Sequence, residues 1–300
     1  MTIDAKRTPD TCFDSLPGYE FQPHYVDTLA GYEGLRVHYL DEGPADASQV
    51  FLCLHGQPSW SYLYRKMIPV FVASGARVIA PDWLGFGKSD KPIADDVYTF
   101  NFHRDMLVAL IEHLDLHHIT LVCQDWGGLL GLTVPQDMPD RFDRLLVMNT
   151  AIAVGTSPGE GFEAWKAYAA SQPDMDIAAL MQRSSPILSA QEAAAYAAPY
   201  PDVTYKAGVR RFPEMVMVTP DMEGVDVSKR AVQWWSKEWN GKSFMAVGMQ
   251  DPVLGPAHME ALRKIIRGCR EPMQVAEGGH FLQEWGEPIA QQVLLAFGDQ

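Results

Sequence analysis

The stretch that most constrains this chain is residues 121–130, L-V-C-Q-D-W-G-G-L-L. Residues 117–120 lead into an apolar run rich in Leu and Val, the signature of a short buried strand. Gly127 and Gly128 follow at once, and an apolar pattern then continues as a helix to near Pro139. A strand, a sharp turn and a helix with small residues at the turn is the layout of a nucleophile elbow. Such a turn lifts one side chain above the carboxyl edge of a parallel sheet, and here that side chain is Asp125. Serine is the usual occupant, and a carboxylate changes which bond can be attacked.

The surrounding chain has the alternation that a parallel sheet needs. Residues 35–40 alternate in polarity and read as an antiparallel strand, while 49–54, 77–80 and 142–148 read as buried strands. Helices are expected over 60–73 and 100–116, and residues 1–30, rich in turn formers, are expected to wrap the surface. This pattern implies a mostly parallel sheet with helices on both faces. At about residue 151 the alternation stops. Ala-rich helical stretches broken by Pro158, Pro173, Pro186, Pro199, Pro201 and Pro213 run to about residue 229. They read as a helical cap inserted after the sixth strand, over the carboxyl edge of the sheet. Strand and helix alternate again over 244–249, 257–266 and 273–276, with a closing helix after Gly286. The expected organisation is therefore a main domain in two parts, 1–151 and 230–300, around a cap domain at 152–229.

Composition excludes several classes. A hydrophobic fraction of 47% and a charged fraction of 21% in 300 residues are those of an ordinary globular protein. The net charge of −14 argues against a nucleic-acid partner. No apolar run approaches the roughly 18 residues needed to span a bilayer, so no membrane partner is expected. The N-terminus carries no apolar secretory segment, and Cys12, Cys53, Cys123 and Cys269 form no C-x-x-C pair, so a cytoplasmic location is expected. The sequence lacks H-E-x-x-H and any Cys/His metal spacing, and no metal or organic cofactor is expected. The string G-F-G-K-S at 85–89 looks like the end of a phosphate-binding loop, but its first glycine would have to be residue 82, which is Asp82.

Reactive groups in open α/β sheets gather where strands end. Those positions hold His55, Asp82, Asp125, Asn149, Asp251 and His280. The order Asp125, Asp251, His280 follows the nucleophile–acid–histidine order of α/β-hydrolases. Asp125 could be a helix N-cap, a role that would leave the two glycines and His280 unexplained. Asp251 could open a turn before Pro252. Its place at a strand end, with Asn149 rather than an acid after the preceding strand, makes it the better partner for the histidine.

On these residues the whole chain resembles the haloalkane dehalogenases of the α/β-hydrolase superfamily. The motifs are H-G-Q-P-S-W (55–60), P-D-W-L-G-F-G-K-S-D (81–90), C-Q-D-W-G-G (123–128), G-M-Q-D (248–251) and G-G-H-F (278–281). In the insertion, G-F-E-A-W-K (161–166) and G-V-R-R-F-P (208–213) resemble the subgroup with a second halide-binding tryptophan there. The resemblance implies hydrolytic dehalogenation of short haloalkanes, with Asp125 as nucleophile, His280 as general base and Asp251 as its orienter. It implies Trp126 and Trp165 as the halide-binding pair and the backbone N–H groups of Gln57 and Trp126 as the oxyanion hole. Phe162, Phe212, Pro213 and Leu254 are expected to line the pocket. The expected partners are a small neutral halogenated substrate and the halide ion product, and a monomer is expected. Two positions depart from the pattern: Gln57 stands where the subgroup usually has Glu, and Cys123 replaces a small aliphatic residue. The alternatives are an epoxide hydrolase, which needs cap tyrosines among Tyr168, Tyr196, Tyr200 and Tyr205, and a non-catalytic binding protein on the same fold.

Overall fold

The central strands are apolar at nearly every position because the sheet is covered on both faces. A computed structural model describes residues 3–298. Eight strands form the main sheet, β1 (Pro23–Val26), β2 (Val37–Glu42), β3 (Val50–Leu54), β4 (Arg77–Pro81), β5 (Ile119–Gln124), β6 (Phe142–Met148), β7 (Lys242–Gly248) and β8 (Met273–Val275). Their spatial order is β8-β7-β6-β5-β3-β4-β2-β1. β2 runs antiparallel to both of its neighbours, and every other pairing is parallel. A two-residue ribbon, Ala5–Lys6 against Lys91–Pro92, lies apart from it.

Register brings the chemistry together. Gln124 pairs with Met148, and Met148 with Ala246, so β5, β6 and β7 end nearly level. The residues that follow, Asp125, Asn149 and the turn after Gly248, therefore share one edge. Helices α1 (Ile68–Ala73), α2 (Phe100–His113) and α3 (Trp126–Gly131) connect the first six strands. Between β6 and β7 come α4 (Glu160–Ser171), α5 (Ile177–Ser184), α6 (Ala190–Ala197) and α7 (Ala207–Met215), the helical insertion expected after the sixth strand. Helices α8 (Val225–Lys237), α9 (Pro256–Ile265) and α10 (Gly286–Phe297) complete the chain.

Four expectations are corrected. Residues 1–30 do not only wrap the surface, since they supply β1, an edge strand with Val26 alone buried and hence no alternation to read. The helix expected over 60–73 is a 3₁₀ turn, Ser61–Tyr64, followed by the short α1. The helix after the elbow stops at Gly131, because Pro135 disfavours helical backbone at Val134 and the chain turns off first. The boundary drawn between residues 229 and 230 falls inside the continuous α8, whose Trp235 indole donates to the Leu132 carbonyl of the main sheet layer at 2.7 Å.

No helix among the described residues is long and apolar enough to cross a membrane. All four cysteines are free thiols, and Cys53, Cys123 and Cys269 are buried.

Candidate active site

The elbow forces Asp125 into φ +49°, ψ −124°, a positive-φ region outside the left-handed helical well that is strained for a residue with a side chain. Neighbours hold it there. Asp125 N–H donates to the Asn149 carbonyl at 3.0 Å, and Thr150 Oγ1 donates to the Asp125 carbonyl at 2.7 Å. The turn packs so closely that a Cβ on Gly127 would overlap the Leu54 carbonyl, and one on Gly56 would overlap the Asp125 carboxylate. The glycines flanking this turn are thus demanded by close approach.

The carboxylate is asymmetrically held. Oδ2 accepts the Gln57 backbone N–H at 2.8 Å, while Oδ1 faces His280 Nε2 at 3.7 Å. Burial raises the Asp125 pKa above its ordinary value, opposed by the His280 charge and the backbone N–H groups of Gln57 and Trp126. Burial pushes the other way on His280, but Asp251 and Asp125 overcome it and hold the imidazole up to about 9. His280 Nδ1 donates to Asp251 Oδ2 at 2.9 Å. Despite burial, Asp251 is held down to about 2 by His280, Asn149 and backbone N–H donors.

Asn149 is a participant that the sequence reading passed over. Its Nδ2 donates to Asp251 Oδ2 at 2.8 Å, and its Oδ1 accepts the Gly248 N–H at 2.8 Å. The signal was present in its position at a strand end, where an amide can donate to an acid and accept from a backbone at once. His55 and Asp82, also at strand ends, do not reach the site. His55 Nε2 accepts the Trp83 N–H at 3.1 Å, and burial lowers its pKa to about 4. Asp82 is buried and accepts from His38 Nδ1 at 2.7 Å and from the backbone N–H groups of Ser61 and Lys88. The glycine-rich loop at 85–89 is folded around that carboxylate, and Lys88 N–H is directed at it.

Trp126 and Trp165 both border the cavity above Asp125, and neither indole N–H has a partner among the described residues. Trp60, Trp83, Trp235 and Trp239, by contrast, donate to Ala195, His55, Leu132 and Ser243. Two free indole donors on the wall of the apolar cavity that holds the carboxylate are suited to an anion that forms there.

Residues 49–287 match the family described as the alpha/beta hydrolase fold. A haloalkane dehalogenase from Psychrobacter cryohalolentis is 44% identical over 296 residues, 96% of each chain. Haloalkane dehalogenase 1 from Mycobacterium tuberculosis is 42% identical, covering 97% of this chain and 98% of its own. The solved tetrameric structure of a haloalkane dehalogenase from Paraglaciecola agarilytica is 53% identical with a TM-score of 0.97, covering 98% of this chain and 99% of the other. The chain belongs to the haloalkane dehalogenases.

The cavity of this haloalkane dehalogenase measures about 740 Å³. Phe162, Pro213 and Leu254 lie on its wall as expected, and Leu129, Val216 and Phe281 join them. Phe212 does not. It is fully buried behind Trp126, with ring centroids 4.7 Å apart, and supports the indole from the far side. Phe212 and Pro213 are consecutive on α7, and a helix turns successive side chains by about 100°, so one faces the cavity and the other the core.

Gln57 has a second contact that gives its side chain a reason. Pro213 inside α7 has no N–H to donate to the Val209 carbonyl one turn back. Gln57 Nε2 donates to that carbonyl instead, at 2.9 Å. An ionised Glu at this position has no donor to offer. Of the four tyrosines considered for epoxide opening, only Tyr168 borders the cavity. The Tyr196 hydroxyl is spent on Glu284 and that of Tyr200 on the Pro58 carbonyl.

Proposed function

We propose that this chain hydrolyses short haloalkanes to the alcohol, halide ion and a proton, through an ester on Asp125. The observation that carries this reading is the asymmetry of the Asp125 carboxylate, one oxygen clamped by backbone N–H and the other facing His280. Oδ1 attacks the carbon from the side opposite the halogen. The new C–O bond forms as the carbon–halogen bond breaks, and the electron pair leaves with the halide. Holding the substrate against the carboxylate in a dry pocket supplies about 7–11 kcal/mol through proximity. The indole N–H groups of Trp126 and Trp165 meet the developing halide, each bond to a charged group contributing about 1.5–3 kcal/mol.

Clearing the ester is the work of His280. In the ester Asp125 is neutral, so one of the two anions holding the proton on His280 is gone, its pKa falls and that proton passes to solvent. The imidazole then takes a proton from water, and the oxygen adds to Cγ of Asp125. Negative charge builds on Oδ2, which already accepts the Gln57 N–H, and the Trp126 N–H interacts with the same carboxyl group. The ester C–O bond breaks, the alcohol takes its proton from the imidazolium, and the new carboxyl passes its proton to His280, which restores the charged pair.

Epoxide opening would need acidic hydroxyls aimed at the substrate oxygen, and the positions of Tyr196 and Tyr200 do not support it. Residues 152–229 are read as a cap, with the part that belongs to α8 assigned to the main domain. The four free thiols favour a cytoplasmic location. A monomer was expected, whereas the relative from Paraglaciecola agarilytica is a tetramer. Sedimentation of the purified protein decides the assembly.

The test is intact-mass analysis of His280→Phe after exposure to 1,2-dibromoethane. A stable bromoethyl adduct that maps to Asp125 is expected. No adduct, together with no bromide release by the native protein, would sink the scheme.

A further inference from the structure

Strand β5 reads I-T-L-V-C-Q and closes on an amide, Gln124, at the position just before the nucleophile. The side chain is fully buried. Its Nε2 donates to the His280 carbonyl at 3.0 Å, and its Oε1 meets no donor among the described residues. A buried amide with one half unpaired carries a desolvation cost that an apolar side chain of similar size would avoid. The bond it does make falls on the main chain of the catalytic histidine.

That main chain has little else to hold it. Gly278 and Gly279 precede His280 and restrict the backbone least of all residues. The loop passes the end of α5 so closely that a Cβ on Gly279 would lie 2.8 Å from the Ser184 carbonyl. On one side the Gly278 carbonyl accepts the Gln250 N–H at 2.8 Å, and on the other the Phe281 carbonyl accepts the Glu284 N–H at 3.1 Å. Between those two bonds, among the described residues, the backbone of Gly279 and His280 is fixed by Gln124.

We propose that Gln124 is a positioning residue for hydrolysis of the ester, a strut that fixes His280 relative to Asp125 from the neighbouring place in the chain. The inference rests on the reading of the reaction above, because it concerns the second step of that reaction. In the resting site His280 faces two carboxylates, Asp251 at 2.9 Å and Asp125 at 3.7 Å. Alkylation of Asp125 cancels the second attraction just when the imidazole must aim a water at Cγ. A bond between a neutral amide and a neutral carbonyl depends on neither charge and persists through the change. Residues 124 and 125 share a peptide bond, so the strut and the ester carbon move together. His280 is thus held at two points, Nδ1 by Asp251 and its carbonyl by Gln124, while Nε2 is left to take the proton.

Such a strut affects one step and not the other. The experiment is a single turnover of 1,2-dibromoethane by native protein, Gln124→Met and Gln124→His, with the ester on Asp125 followed by rapid-quench mass analysis. Methionine keeps the bulk and removes the donor, whereas histidine restores an N–H at a similar reach. In Gln124→Met the ester should form at the native rate and decay about tenfold to hundredfold more slowly, as a small misalignment of a reacting group would cause. At steady state kcat and KM should fall together and leave kcat/KM unchanged, because loss of bromide in the first step is irreversible. Gln124→His should keep most of the native decay rate. A native decay rate in Gln124→Met, a loss of ester formation that matches the loss of hydrolysis, or equally slow decay in Gln124→His would overturn the strut. The reaction itself would still stand if the native protein forms and clears the ester. A native protein that forms no ester on Asp125 would remove both.

Discussion

His280 is the residue whose environment has the widest consequences. Its folded pKa of about 9 lies above the ordinary 6.5, so its pairing stabilises the fold fully below about pH 6.5 and loses that effect as pH rises through 9. Asp251 has the opposite sign. Held at about 2 against 3.8, it stabilises the fold above 3.8 and loses that contribution as pH falls through 2. The pair therefore contributes most between about pH 4 and 6.5. Calorimetry across pH 6 to 9.5 should show a falling Tm that is flattened in His280→Gln. At this scale the sequence was most readable where a residue had a single feasible partner. Asp125, Asp251 and His280 are all acid or imidazole at strand ends, and the structure brings them together. Phe212 was misplaced because adjacency in sequence says nothing of which side of a helix each residue faces.

At the scale of elements, the site depends on strands that end level. Asn149, directly after β6, ties that strand to β7 through Gly248 and to the catalytic turn through Asp251. Asn149→Ala removes a bond to a buried carboxylate and one to a backbone N–H, and should lower stability by about 1.5–3 kcal/mol. On the proposed scheme it should also slow ester hydrolysis more than ester formation, because that scheme uses His280 only in the second step. Rapid-quench mass analysis with 1,2-dibromoethane should find more alkylated Asp125 at steady state than in the native protein. The buried parallel strands were legible because cover on both faces leaves continuous apolar runs. β1 was not, since an edge strand that buries only Val26 has no pattern to show. The end of the insertion was hidden for a related reason, because α8 begins before the last insertion-like residues finish and packs beside α3 and α9.

For the whole molecule, the insertion is held unevenly. Along α6 and α7 it is bound to the main sheet layers by many polar contacts. Arg65, buried, links Glu192 of α6 at 2.8 Å to Glu284 at 2.7 Å, only four residues beyond His280. Trp60 donates to the Ala195 carbonyl, Thr8 to Pro199 at 2.7 Å, and Gln57 to Val209. The side-chain hydrogen bonds of residues 163–183, among the described residues, stay within the insertion. Amide exchange should follow this division, with α4 and α5 taking up deuterium sooner than α6 and α7. Mass spectrometry of peptic fragments checks it, and equal uptake by the four helices would count against it.

The double contact of Gln57 then acquires a mechanical meaning. One residue grips the insertion with its amide and the reacting carboxylate with its backbone, so that edge behaves as a hinge pin set in the floor. Because the Arg65, Trp60 and Thr8 contacts tie the same edge, breathing of the insertion is expected to open most at the rim formed by α4 and α5. Thermal motion can admit a bulky molecule there while the donor beneath Asp125 stays at rest.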